Sequence, residues 1–93
     1  MSKLSELIKN KRLELGVSQT RLADFLGLKN EQYISNFERN LCYIPYKYLG
    51  RISQRLRLPV SDIEDAIMLD ERDKFRRVLN ESIAKNTDQN TRA

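Results

Sequence analysis

Residues that break helices are scarce in this 93-residue chain, and their scarcity restricts its fold more than any other feature. Three glycines and two prolines interrupt apolar residues that recur every three or four positions. This spacing is typical of amphipathic helices, and the alternation of a β-strand is absent. The sequence therefore predicts an all-α fold, and the length corresponds to one small domain.

Five helices are predicted, because residues that begin or end helices divide the apolar pattern into five runs. The residues that favour a helix start are Ser18, Asn30, Pro45 and Ser61, of which Ser61 forms a capping box with Glu64. The residues that favour a helix end are Gly16, Gly27, Asn40 and Pro59. Charged residues 70–73 interrupt the fifth run, so the segment up to about residue 84 is either one long helix or two.

Charge is distributed unevenly along the chain, whose formal net charge is +4. Residues 1–57 carry 11 Lys and Arg against 5 Asp and Glu, whereas residues 58–93 carry 6 against 8. A basic part joined to a mildly acidic part suggests that the first part binds a polyanion such as nucleic acid.

Composition argues against several kinds of site. The chain has no histidine and a single cysteine, Cys42, which excludes an internal disulfide and the cysteine-based zinc patterns. Its carboxylate pairs, such as Asp70 and Asp73, lie among cations and favour capping and solvation over catalysis. We therefore expect no cofactor, no metal and no enzymatic activity. A mean hydropathy of −0.63 without a long apolar run predicts a cytoplasmic protein that lacks a membrane span and a signal peptide.

Two runs of residues resemble the phage-repressor or Cro-like helix-turn-helix family of the XRE type. They are KRLELGVSQTRLADFLG at 11–27 and YISNFERN at 33–40, in which the Ser-Gln, Leu-Ala and Glu-Arg pairs keep the family's spacing. The resemblance covers roughly residues 4–65 and implies a compact five-helix lambda-repressor-like DNA-binding domain over residues 1–69. A C-terminal helical extension over 70–85 and a disordered tail over 86–93 are expected to follow.

The resemblance assigns DNA contacts to the second helix of the pair, which lies in the major groove in this family. The candidates for base contact are polar side chains that match base edges: Glu31, Gln32, Tyr33, Ser35 and Asn36. For Tyr33 the alternative is that its ring packs on the turn. Lys29 and Asn30 are candidates as well. The family has one residue fewer before this block, so residues 28–30 either lengthen the turn or start the helix one residue late, which leaves the register of residues 29–31 open by one position.

The resemblance also assigns contacts with the phosphate backbone. Gln19, at the start of the preceding helix, corresponds to a glutamine that clamps a phosphate where the helix amides favour an anion. The basic candidates, which would add affinity but little sequence information, are Lys9, Lys11, Arg39 and Lys47. Arg12 and Glu38 correspond to a structural ion pair that ties the first helix to the end of the recognition helix.

An apolar stripe in the C-terminal part has two interpretations. Its members beyond residue 70 are Phe75, Val78, Leu79 and Ile83. These side chains either fold back on the domain or form a dimer interface. Because palindromic operators require a two-fold symmetric protein in this family, dimerisation is the favoured interpretation.

These residues predict a sequence-specific DNA-binding transcriptional regulator, a repressor in the favoured interpretation, that binds a palindromic operator in double-stranded DNA as a homodimer. Two alternatives stay open. The first is an antitoxin whose C-terminal region binds a toxin partner, and co-purification of a second small protein would identify it. The second is a protein-interaction adaptor without DNA binding, which would show no salt-dependent affinity for duplex DNA.

Overall fold

The protein is built from helices that follow the predicted order. The computed structural model describes the backbone of residues 2–91 and the side chains of residues 2–85. The α-helices are α1 (Lys3–Glu14), α2 (Gln19–Leu26), α3 (Gln32–Glu38), α4 (Leu49–Leu56) and α5 (Val60–Thr91), and a 3₁₀ turn over Tyr46–Tyr48 precedes α4. No strand occurs among the described residues, and the predicted all-α, five-helix fold is confirmed.

The helix ends in the N-terminal half form where the local chemistry predicts them. The Ser18 side chain accepts a hydrogen bond from the Arg21 amide at 3.0 Å and caps the start of α2. Gly27 follows α2 with φ +76°, a left-handed conformation that glycine adopts without a Cβ penalty. Asn40, with φ +62°, takes the same conformation after α3.

The starts of α4 and α5 differ from the prediction. Pro45 lies in extended backbone with ψ 139°, so α4 begins only at Leu49, after the 3₁₀ turn. The predicted capping box at Ser61 is wrong, because α5 begins at Val60. The Pro59 carbonyl accepts hydrogen bonds from the amides of Asp62 at 3.0 Å and Ile63 at 3.4 Å, so the first turn of α5 closes on residue 59, two positions before Ser61.

One hydrophobic core joins all five helices. Its fully buried aliphatic side chains come from successive helices and include Ile8, Leu22, Ile34, Ile52 and Leu56. Burial of each such side chain contributes about 1.5–3 kcal/mol relative to exposure, so this core is the main source of the domain's stability. No helix in the described part of the chain combines the length and apolar character that a membrane crossing needs.

Helix α5 is a single helix of 32 residues and reaches beyond the core. Ile63 and Ala66 are buried in the core and Ile67 packs against it, whereas every side chain from residue 71 to residue 85 is exposed. The stripe residues Phe75, Val78, Leu79 and Ile83 therefore do not fold back on the domain. The helical backbone continues to Thr91, which differs from the tail predicted over 86–93. Residues 92 and 93 lie outside the described residues.

A carboxylate of α5 fixes this helix against the start of α1. Asp70 accepts hydrogen bonds from the backbone amides of Lys3 at 2.6 Å and Leu4 at 3.1 Å. These amides belong to the first turn of α1, where no intrahelical acceptor is available and the helix dipole favours a negative charge. The sequence alone places Asp70 only in the charged segment 70–73. In the structure it caps a helix whose first residue lies 67 positions earlier.

Replacing this cap tests its contribution. We expect Asp70→Ala to lower the free energy of unfolding by about 1–2 kcal/mol, because two amides lose their acceptor and α1 loses a favourable charge. The matched control is Asp73→Ala, which changes an exposed carboxylate on the same helix with the same gain in helix propensity. Urea unfolding followed by circular dichroism measures both. Equal stability of the two variants would show that the Asp70 cap contributes nothing.

Candidate nucleic-acid interface

A buried ion pair holds the helices that carry the candidate interface. The Nε and Nη2 atoms of Arg12 donate to the Oε2 and Oε1 atoms of Glu38 at 2.7 and 2.8 Å, and the two side chains are 8% and 2% exposed. Arg12 Nη1 donates to the carbonyl of Val17 at 2.8 Å. The guanidinium therefore connects α1, the turn before α2 and the last residue of α3. This bidentate geometry suits arginine and a carboxylate, and lysine could not reproduce it.

The glutamine predicted to clamp a phosphate belongs to the same network. Gln19 is the first residue of α2 and half-buried, and its Nε2 atom donates to Glu38 Oε1 at 3.0 Å. Glu38 Oε1 thus accepts from both Arg12 and Gln19. No buried side-chain polar atom lacks a hydrogen-bond partner among the described residues. The Glu38 charge is consequently compensated inside the protein, where it does not repel a phosphate.

The outer face of α3 carries a connected row of polar side chains. Gln32, Asn36 and Arg39 follow one another at helical spacing, with Ser35 beside them and half-buried. Asn36 Oδ1 accepts from Gln32 Nε2 at 2.9 Å and from Arg39 Nη2 at 2.8 Å. The buried Ile34 and Phe37 lie on the opposite face and hold the helix on the core. The row is therefore presented outward by a helix whose back is fixed.

Residues 27–31 separate α2 from α3, and α3 begins one residue later than a cap at Asn30 would place it. Lys29, Asn30 and Glu31 are exposed and precede α3, which begins at Gln32. Asn30 Oδ1 accepts a hydrogen bond from the Gln32 amide at 2.9 Å, which forms an Asx turn one residue before the N-cap, so the prediction of Asn30 as the N-cap is wrong by one residue. Glu31 occupies the N-cap position and its side chain caps no amide.

Tyr33 is engaged by the protein itself. Its ring packs against the core, and its hydroxyl donates to the carbonyl of Tyr43 at 2.8 Å. Burial raises the pKa of the Tyr33 hydroxyl, with smaller contributions from the Cys42 thiol and the Tyr48 phenol, so the hydroxyl stays protonated and donating at neutral pH. The structure thus favours packing over base contact for this side chain. The sequence held no signal for the Tyr43 carbonyl, because any residue could supply it.

The basic candidates are spread over several elements. Lys9 and Lys11 lie half-buried on α1, and Lys11 Nζ is 3.5 Å from Glu14 Oε1. Lys47 is exposed in the 3₁₀ turn, with Nζ 5.3 Å from the centroid of the Tyr48 ring. Among the candidates, polar contacts therefore join Gln19 of α2 to Glu38 of α3, and Gln32 and Arg39 each to Asn36, whereas Lys11 and Lys47 contact no other candidate in these bonds.

Two short helices joined by the turn over residues 27–31, with a polar outer face on the second, define a helix-turn-helix DNA-binding protein. Residues 8–63 match the family model described as "Helix-turn-helix". The chain belongs to this family, in its XRE-type, phage-repressor or Cro-like branch, and is a DNA-binding transcription regulator.

A solved structure supports the same assignment. The chain is similar to the crystal structure of a point mutant of the restriction-modification controller protein C.Esp1396I, with 37% sequence identity and a TM-score of 0.59. The similarity covers 72% of this chain and 85% of that chain. No protein in the curated comparison matches the chain. The family match ends at residue 63, so most of α5 lies outside it.

The buried Arg12–Glu38 pair predicts that a Glu→Gln substitution lowers stability far more at position 38 than at position 31. Glu38→Gln should lower the free energy of unfolding by about 3–5 kcal/mol, because Arg12 would stay buried without its anion. The control Glu31→Gln makes the same chemical change at an exposed position and should cost less than about 0.5 kcal/mol. Chemical denaturation of the two variants measures the difference. Similar stability of both would contradict a structural role for the pair.

Proposed function

We propose that the protein is a transcriptional repressor that binds a palindromic operator as a homodimer, with α3 in the major groove of each half-site. The observation that supports this function best is the outward row of Gln32, Asn36 and Arg39 on a helix anchored by the Arg12–Glu38 pair. The similarity to a restriction-modification controller protein supports a controlling role for this chain as well.

Base readout is assigned to the amide and hydroxyl side chains of α3. A glutamine or asparagine amide can accept from N6 and donate to N7 of adenine, and a serine hydroxyl can do either. Gln32, Ser35 and Asn36 lie on the outer face of α3 with such groups. The bond between Gln32 and Asn36 holds both amides in place before DNA arrives, which reduces the entropy lost on binding. Glu31 is exposed at the N-cap and can accept from cytosine N4.

Phosphate contacts are assigned to residues around this face. Arg39 is exposed at the end of α3, Lys29 lies in the turn before it, and Lys47 lies in the 3₁₀ turn. Lys11 can exchange its exposed partner Glu14 for a phosphate at little cost, because such a surface pair contributes about 0–1 kcal/mol. Gln19 keeps a second amide hydrogen for a phosphate at the start of α2 while it donates the first to Glu38. The positive balance of residues 1–57 supports this electrostatic contribution.

Dimerisation is assigned to α5. Phe75, Val78, Leu79 and Ile83 are large apolar side chains that stay exposed on the part of α5 beyond the core. Exposed apolar surface of this kind is typical of interaction sites. Two linked domains bind two half-sites with a higher effective concentration than a single domain, so dimerisation raises operator affinity without any new base contact.

The base specificity proposed for α3 can be tested by alanine substitution of two glutamines, Gln32 on α3 and Gln54 on α4. Gln32→Ala should cost about 1–3 kcal/mol in binding to the preferred duplex and relax its sequence preference, because a base-reading amide is lost. The control Gln54→Ala removes an exposed amide from α4 and should change neither. Fluorescence anisotropy against the preferred duplex and a scrambled one, each at several salt concentrations, measures affinity and its salt dependence. An equal loss on both duplexes would show that Gln32 reads no base, and a flat salt response would favour the adaptor without DNA binding.

The proposed dimer interface can be tested with two variants that each add one negative charge to α5, at position 75 or at position 80. Phe75→Asp should convert the protein to a monomer and weaken operator binding, because the charge would have to be buried in the interface. The control Asn80→Asp alters the charge by the same amount at another exposed position of the helix. Sedimentation equilibrium at micromolar concentration reports the mass of each variant. A dimeric Phe75→Asp protein would place the interface elsewhere.

A further inference from the structure

The positive charge of this chain is concentrated in one segment, residues 39–57. The segment contains five Lys and Arg, and no carboxylate side chain lies between Glu38 and Asp62. The remainder of the chain carries 12 Lys and Arg against 13 Asp and Glu, so this segment accounts for the whole net charge of +4. A polyanion that binds the protein is therefore attracted above all to this segment.

Three of these cations form a row along α4 and the turn before it, and we call them the α4 row. Arg51 and Arg55 are four residues apart on α4, so they lie about 6 Å apart along its axis and about 40° apart around it. Lys47 precedes Arg51 by the same interval, in the 3₁₀ turn that leads into the helix. Lys47 and Arg51 are exposed and Arg55 is half-buried. The α4 row thus presents three charges along one side of the helix.

The α4 row has no acidic partner within the part of the protein that the structure describes. The ion pairs formed among residues 2–85 belong to Lys3, Lys11 and Arg12. Like charges four residues apart on a helix repel each other and destabilise it. The α4 row therefore lowers the stability of the free protein, and an anion from outside the protein would relieve this repulsion.

The α4 row begins beside the recognition helix. Tyr48 follows Lys47, whose Nζ is 5.3 Å from the centroid of the Tyr48 ring. Burial raises the pKa of the Tyr33 hydroxyl on α3, and the nearby Tyr48 phenol contributes to this rise. Around the axis of α3, Tyr33 lies between the buried Phe37 and the polar Asn36. The surface therefore runs from the polar face of α3 across the two tyrosines to the α4 row.

The dimensions of the α4 row match a DNA backbone. The row is about 12 Å long, and one strand of a duplex presents a phosphate every 3.4 Å or so of helix axis, so about three phosphates fall within its length. An acidic protein surface would also supply anions. DNA is favoured as the partner, because a duplex bound by α3 brings its own backbone to the surface beside that helix.

We infer that Arg51 and Arg55, together with Lys47, form a second phosphate-binding surface that holds the DNA backbone beside the bases read by α3. The inference rests on the proposed DNA binding and adds two arginines to it. Contacts of this kind supply affinity and orientation but no sequence information. The α4 row is consequently expected to strengthen binding to every duplex by the same factor.

Removal of single charges tests the inference. Arg51→Gln and Arg55→Gln each remove one charge from the α4 row. The matched control is Arg57→Gln, because Arg57 is an exposed cation of the same segment that lies about 160° from Arg55 around α4. Fluorescence anisotropy at several salt concentrations measures binding of each variant to the preferred duplex and to a scrambled one.

The expected result is a change in salt dependence without a change in sequence preference. For each row variant, the slope of log affinity against log salt should become shallower by about 0.9 per lost phosphate contact, or about 1.8 for a homodimer. The loss of affinity should be equal on the two duplexes. Arg57→Gln should keep the wild-type slope, and so should Arg51→Lys, which retains the charge.

Two further measurements separate contact from structure. Ethylation of phosphates in the preferred duplex should block wild-type binding at about three consecutive positions beside the bases that α3 contacts, and Arg51→Gln should lose one of them. In urea, Arg51→Gln should unfold at or slightly above the wild-type midpoint, because repulsion between like charges is relieved. A lower midpoint would identify Arg51 as a structural residue and overturn the inference.

The other contrary results are equally specific. Wild-type slopes in both row variants would overturn the inference while leaving the repressor function intact. An equally shallow slope in Arg57→Gln would also overturn it, because the overall charge and not the α4 row would be responsible. A loss confined to the preferred duplex would overturn it as well, since the arginines would then read bases. A wild-type protein that binds no duplex would overturn both the inference and the proposed function.

Discussion

The arrangement of the candidate interface depends on one buried ion pair, between Arg12 and Glu38. The guanidinium comes from α1 and the carboxylate from the last residue of α3, and further bonds include the Val17 carbonyl and Gln19. A buried charge is tolerated only with its partners in place, so these elements cannot shift separately without a large cost. Helix α3 has seven residues, too few to be stable alone. It can present a fixed outer face because this network and the core hold it.

The sequence predicted those features that depend on local chemistry. The ends of α2 and α3 follow from Ser18, Gly27 and Asn40, whose side chains or backbone freedom act within a few residues. The hydrogen-bond partner of a long side chain, by contrast, is not determined by its neighbours in sequence. Gln19 has the right type and position for a phosphate contact, yet its amide donates to Glu38. Asp70 caps α1 across 67 positions, and no spacing rule in the sequence pairs Asp70 with the Lys3 amide.

The two ends of the molecule serve different purposes in this account. The part that matches the helix-turn-helix family, residues 8–63, holds the basic surface and the polar face of α3. Most of α5 lies outside that match and carries the exposed apolar side chains Phe75, Val78, Leu79 and Ile83. Base recognition and self-association are therefore assigned to separate surfaces of the protein. Asp70 ties α5 to the start of α1 and so fixes where this helix leaves the domain.

The most direct test of the account is a selection of bound sequences from a random pool of duplexes, followed by footprinting on the most enriched sequence. The account predicts an enriched sequence with two inverted half-sites. Their centres should lie about 34 Å apart, one turn of the double helix, or a multiple of that distance. The footprint should cover both half-sites at the same protein concentration, because the two domains arrive together. Enrichment of a single unrepeated site, or of no sequence at all, would contradict the account.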